Sequence, residues 1–100
     1  MRTRIPTPAI VGRNIRARRE YLASHSGNPG LWTRKAVAQR SSMLLGWWRR
    51  VENEGQDISA LHLPEVLRLL EIPVEKPEDV FTLFKVDFDP ALRPTAAVNN

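Results

Sequence analysis

Arg49 and Arg50 stand directly behind a tryptophan pair, in the run Trp47-Trp48-Arg49-Arg50-Val51-Glu52. A guanidinium is a rigid fork of N–H donors, matched to phosphate oxygens and to the O6/N7 edge of guanine. The chemistry on offer is therefore recognition of an anion or a base edge. Bond-making chemistry has no comparable support. Ser41 and Ser42 lack a His or Lys base at a motif spacing, so neither is an activated nucleophile. His25 sits in a polar loop and His62 shortly before a proline. With no cysteine and no His-x-His spacing, neither His reads as a metal ligand. Asp87-Phe88-Asp89-Pro90 is too short for a calcium loop. No enzyme activity, cofactor or metal is expected.

Charge is distributed in a way that fits recognition of a polyanion. Residues 1–50 hold 11 Lys+Arg against one acid, Glu20, for a net +10. Residues 51–100 hold 4 Lys+Arg against 10 acids, for a net −6, and the halves add to the overall +4. A basic half beside an acidic half suggests one face for the polyanion and one that avoids it. Nucleic acid and an anionic membrane surface are the two candidates, and a merely solvated charge pattern is the plain alternative. At 100 residues the chain has room for one modest core. It lacks cysteines for a disulfide framework and an apolar run of membrane-spanning length. The basic N-terminus, MRTRIPTPAIVGR, carries no apolar signal segment. These features lead to the expectation of a cytoplasmic protein.

The elements that must position the arginines follow from periodicity and punctuation. Residues 1–7 read as a flexible basic arm whose Arg2 and Arg4 suit phosphate or minor-groove contacts, or simply fray. Thr7-Pro8 starts a helix over 8–23 with Val11, Ile15 and Leu22 on its buried stripe. Arg18 falls on that stripe, so either its stem snorkels or its head finds a carboxylate. After the loop SHSGNPG, Thr33 caps a second helix that ends at Arg40 or Ser41, with Trp32 and Val37 placed as a hydrophobic staple. The third helix covers 44–53, with Leu44, Trp48 and Val51 facing the core and Gly55 as its stop. Trp47 either packs toward Trp32 or presents an interface. Pro64 opens a fourth helix to Glu71, with Leu63, Val66, Leu67 and Leu70 on its apolar side. Pro77 opens a fifth with Val80, Phe81 and Phe84 buried. Residues 86–100 read as an acidic, irregular tail.

Two short helices joined by a tight turn, with donors on the outer face of the second, match a helix-turn-helix mechanically. The segment resembles the Xre, or lambda-repressor-like, helix-turn-helix family. The resemblance rests on Ile15-Arg16-Ala17-Arg18-Arg19-Glu20 in helix one, Ala38 in helix two and Val51-Glu52-Asn53-Glu54-Gly55 closing helix three. It is closest to the N-terminal domain of MmyB-like regulators, through Pro29-Gly30-Leu31 and the aromatic pair before Glu52. Leu63-Pro64-Glu65 also resembles the fourth helix of lambdoid phage repressors. The resemblance covers roughly residues 11–84.

It implies a compact five-helix all-α DNA-binding domain over 8–85. It also implies a structural ion pair between Arg19 and Glu52. The ligand-binding domain usual in MmyB-like proteins finds no room here, so no small-molecule ligand is implied. The chain departs from the family at three places. Ser42 stands where a turn glycine is usual, Leu44, Leu45 and Gly46 replace a polar cap and readers, and Gly55 arrives one residue late. The expected function is a sequence-specific double-stranded DNA-binding transcriptional regulator, a repressor acting as a homodimer. Its contacts would come from Arg49, Arg50, Leu45, Gly46, Trp47, Arg34, Lys35 and Arg13. Two rivals remain: a protein-interaction module, antitoxin or adaptor, using the Leu44–Trp47 edge, and a non-specific nucleic-acid binder.

Overall fold

A computed structural model describes residues 7–93. The arm arginines Arg2 and Arg4 and the end of the tail lie outside the described residues. Within them the chain is all-helical, with no strand. In order come α1 (Thr7–His25), a short 3₁₀ turn (Pro29–Trp32), α2 (Arg34–Gln39), α3 (Leu45–Glu54), α4 (Leu63–Leu69) and a 3₁₀ segment (Pro77–Phe84). None of these helices is long and apolar enough to cross a membrane.

The long α1 organises the rest. Val11, Ile15 and Leu22 recur at helical spacing and are buried against Val37, Trp48, Val51 and Leu83. Gly12 lies on the same side, where α1 crosses α3 backbone to backbone. A Cβ there would collide with the Val51 carbonyl oxygen and come within 3.1 Å of Glu52 Cα. The crossing exists because residue 12 has no side chain.

The polar residues on α1 hold what apolar packing leaves loose. An open apolar cleft of about 390 Å³, lined by Pro64, Leu67, Ile72, Val74 and Val80 with Arg68, separates α4 from the 3₁₀ segment. Asn14, buried on α1, donates its amide to the carbonyls of Leu83 and Lys85 at 2.9 and 2.8 Å, closing the end of that segment. One turn later, Arg18 neither snorkels nor meets a carboxylate. It donates instead to the carbonyls of Leu70 and Glu71 at the end of α4, and to those of Pro90 and Leu92. Helix ends leave carbonyls without partners, and a buried guanidinium with its fixed fork of donors can satisfy several together. Burial pushes the Arg18 guanidinium down from its usual value, while Glu71, Tyr21 and Asp89 pull it back up. Residues 86–93 are irregular, yet Arg18 ties them to α1, and Phe88 and Leu92 pack on the core.

Several expected details change for identifiable reasons. α1 is longer at both ends than 8–23, and α4 starts at Leu63 and stops at Leu69 rather than at Glu71. Glu71 has a φ of 56°, and the bonds Glu71 N–H to Arg68 O and Ile72 N–H to Leu67 O close a Schellman end. That left-handed position strains any side chain with a Cβ. Glu71→Gly should therefore stabilise the domain by about 0.5–1 kcal/mol. A higher urea midpoint at unchanged slope would show it, and an unchanged or lower midpoint would refute it.

The fifth helix is 3₁₀, with three residues per turn, so Val80 and Leu83 share one face and Phe81 and Phe84 the next. Leu83 is consequently the fully buried residue, and Phe81 is 57% exposed, stacked edge-on against half-buried Phe84 at 5.7 Å. Leu44 is not core either. It is the N-cap of α3, extended at φ −76°, ψ 160°, so the helical phase that placed it inward does not reach it. It is 82% exposed.

Candidate nucleic-acid interface

The site is built on α2, the turn at 40–44 and α3. Thr33 caps α2, its hydroxyl accepting from the Ala36 N–H at 3.0 Å. Trp32 and Val37, flanking the cap, are both buried in the same cluster. Arg40 lies over the Trp32 ring, 5.1 Å from its centroid, and donates to the Leu31 carbonyl at 2.8 Å. That holds Arg40 against the 3₁₀ turn that precedes α2. The Trp32 indole N–H is buried and has no hydrogen-bond partner among the described residues.

The turn is made by hydroxyls. Ser41 Oγ accepts from Trp48 Nε1 at 2.9 Å and from the Met43 N–H at 3.1 Å, and its own proton reaches Ala38 O or Met43 O. Ser42, which stands where the resemblance has a turn glycine and was expected to make the turn at some cost, is not left-handed. Glu71 is the only non-glycine residue with positive φ among those described, so the turn forms without that strain. Ser42 instead donates twice to Glu65 on α4, from its hydroxyl at 2.6 Å and its backbone N–H at 2.7 Å.

Those two bonds, the hydroxyl's first and the backbone's second, hold the Glu65 carboxyl below the usual carboxylate range, with Arg68 and His62 adding to them. A depressed folded value means stability that is present above the unfolded value and lost as pH falls through the folded one. Wild type should therefore melt above Glu65→Gln at pH about 7, and the gap should shrink as pH falls below about 4. A gap of constant size across that range would refute the clamp. Asp79, accepting from the backbone N–H groups of Glu75 and Lys76, is held low in the same way.

On α3 the inner and outer faces separate cleanly. Trp48 and Val51 are fully buried. Trp47 is half-buried, edge-on to Trp48 at 5.2 Å and to His62 at 5.5 Å, so its ring partners lie toward the start of α4. Glu52, with a side chain 0% exposed, is gripped bidentately by Arg19, Nη2 to Oε1 at 2.7 Å and Nε to Oε2 at 3.0 Å. Arg19 also donates to the Trp32 carbonyl at 3.1 Å. Arg34 joins this cluster, its Nε 3.2 Å from Glu52 Oε1, so its guanidinium is tethered inward at the start of α2. Lys35 and Arg13 are exposed, and so are Leu45, Arg49 and Arg50 on α3.

Sequence reasoning singled out the cations but missed Gln56, whose Oε1 accepts from Arg50 Nε at 2.7 Å. No helical i,i+3 or i,i+4 rule joins residues six apart. Gly55, left-handed at φ 70°, turns the chain back so that the Gln56 N–H also reaches the Arg50 carbonyl at 3.2 Å. Glu65 was noted only as part of a helix opening, and nothing in local sequence links it to Ser42, because the two meet across 23 residues. Among the described residues no group of three or more His, Asp or Glu could hold a metal ion. The arrangement can donate several N–H groups to an anionic surface. No family model, no curated protein and no solved structure matches this chain.

Proposed function

We propose that this chain binds double-stranded DNA sequence-specifically, using α2 and α3 as a lambda-repressor-like helix-turn-helix, and acts as a transcriptional regulator. The observation that carries the reading is the division of α3. Its inner face is fixed by Trp48, Val51 and the Glu52 ion pairs, and its outer face exposes Arg49 and Arg50 in the basic half of the chain. A helix held rigidly from behind and cationic in front is what major-groove entry requires. Lys35 and Arg13 add phosphate contacts, Arg34 contributes mainly through Glu52, and Leu45 is available to a thymine methyl. Repression of a bacterial or mobile-element promoter by a homodimer is the form we favour, with exposed Phe81 as apolar surface for the second copy.

Selection from a random duplex library tests this directly. A palindromic motif is the expected product, and enrichment of no motif rejects specific recognition. Arg50→Ala should cost about 1–3 kcal/mol of binding to the selected site, with relaxed preference at one position. A uniform loss on all sequences would make Arg50 a phosphate contact instead. One observation favours a second reading. Leu44, 82% exposed beside Leu45, is an apolar edge at the front of α3, suited to gripping a protein. Absence of duplex binding even at low salt would favour that module, because phosphate-driven binding strengthens as salt falls.

A further inference from the structure

Resting on that DNA-binding reading, we propose that Gly46 and Gln56 form a seat that presents Arg50 end-on to a guanine. Arg50 is then the base reader and Arg49 a phosphate contact. Three observations converge on the Arg50 guanidinium. Its Nε donates to Gln56 Oε1 at 2.7 Å, and the Gln56 N–H is anchored on the Arg50 carbonyl at 3.2 Å. At its other end, Nη1 lies where a Cβ on Gly46 would approach to 3.3 Å. The guanidinium therefore lies along α3 over Gly46, one turn back, with Gln56 holding it from the far side.

The geometry has a chemical consequence. Nε is occupied, so the donors left are Nη1 and Nη2, which have no hydrogen-bond partner among the described residues. Two parallel N–H groups from those nitrogens are what a guanine O6/N7 edge accepts. Holding a long side chain in its binding rotamer before the partner arrives removes an ordering cost from binding and narrows the partners that fit. Glycine is a weaker helix former than alanine, so α3 itself gains nothing from Gly46 in its first turn. Arg49 is exposed and makes no hydrogen bond or ion pair with a described residue, which suits a phosphate contact.

The experiment uses the full chain and the duplex selected by wild type, beside the same duplex with one G·C pair after another replaced by A·T. The ratio of Kd values, the salt slope and the Tm are measured for wild type, Gly46→Ala, Gln56→Ala, Gln56→Glu, Arg50→Ala and Arg49→Ala. Gly46→Ala should raise the Tm, because alanine strengthens the helix. It should nevertheless lower the preference for one G·C pair by at least about fivefold, the low end of what a bidentate pair discriminates.

Gln56→Ala should lose the same preference, and Gln56→Glu, which keeps an acceptor for Nε, should retain it. Arg50→Ala should lose preference at that same pair. The salt slope should fall only in Arg49→Ala. The seat is overturned if Gly46→Ala and Gln56→Ala both keep the ratio within about twofold while Arg50→Ala loses it, a result that leaves DNA reading intact. It is equally overturned if the preference follows Arg49. If wild type selects no motif at all, the sequence-specific reading on which the seat rests fails instead.

Discussion

Gly12→Ala should destabilise the domain by about 3 kcal/mol or more, the upper end of what an added methyl costs in a packed interior. The usual effect of this substitution in a helix has the opposite sign, since alanine is favoured over glycine there by about 1 kcal/mol. Position 12 reverses it because the methyl would strike main chain. The Val51 carbonyl oxygen lies in its path, with Val51 C at 3.0 Å and Glu52 Cα at 3.1 Å. A flexible side chain could move aside, but backbone inside a hydrogen-bonded helix cannot. Relief therefore requires α1 and α3 to separate, which loosens Ile15, Trp48 and Val51, all fully buried in one cluster. In a domain of this size the loss corresponds to a fall in Tm of about 12 °C or more, measured by circular dichroism. A variant melting within about 4 °C of wild type would show that the crossing is not tight.

Arg19→Ala should cost about 3–5 kcal/mol, the range for removing one partner of a buried ion pair. Glu52 is the reason. Its side chain is wholly buried, and Arg19 supplies the only donor to Oε2 and the shorter of the two contacts to Oε1 among the described residues. Without Arg19 the carboxylate would keep Arg34 alone, on one oxygen at 3.2 Å. A buried anion that has lost two of its three bonds is far more costly than a surface charge with none. Arg34→Ala should cost only about 1 kcal/mol, because the outer arginine is more exposed and the Arg19 fork stays in place. The ordering of the two variants in urea denaturation is the test. Equal losses, or a larger loss for Arg34→Ala, would mean that the pair is not organised around Arg19. The consequence for function is indirect, since Glu52 sits on α3 one turn from Trp48 and two residues beyond Arg50.

The same contrast between local and distant causes separates what was legible in the sequence from what was not. Apolar residues at a period of 3.6, a threonine cap and prolines at helix starts are local signals. They determined an all-α chain, the Thr33 cap, Gly55 as the stop of α3, and the burial of Val11, Ile15, Trp48 and Val51. The resemblance named Arg19 and Glu52 together, and the charge split named the half of the chain that carries Arg49 and Arg50.

Tertiary structure decided the rest. Arg18 could not be assigned from its place on the stripe, because its partners are main-chain carbonyls contributed by distant segments. Leu44 and Phe81 were placed inward by a helical phase that neither obeys, one being an extended cap and the other in a 3₁₀ segment. Gly12 carries no mark in a one-dimensional reading, since its role is the space it leaves for another helix's backbone. Arg50 shows both sides in one residue. Its charge and its place on the outer face of α3 were determined by the sequence alone. The direction of its guanidinium was decided only in the fold, where Gly55 turns Gln56 back onto the helix and Gly46 leaves the surface bare. Patterns along the chain record which residues share a face, and only three-dimensional packing determines which distant atoms a polar group finally meets.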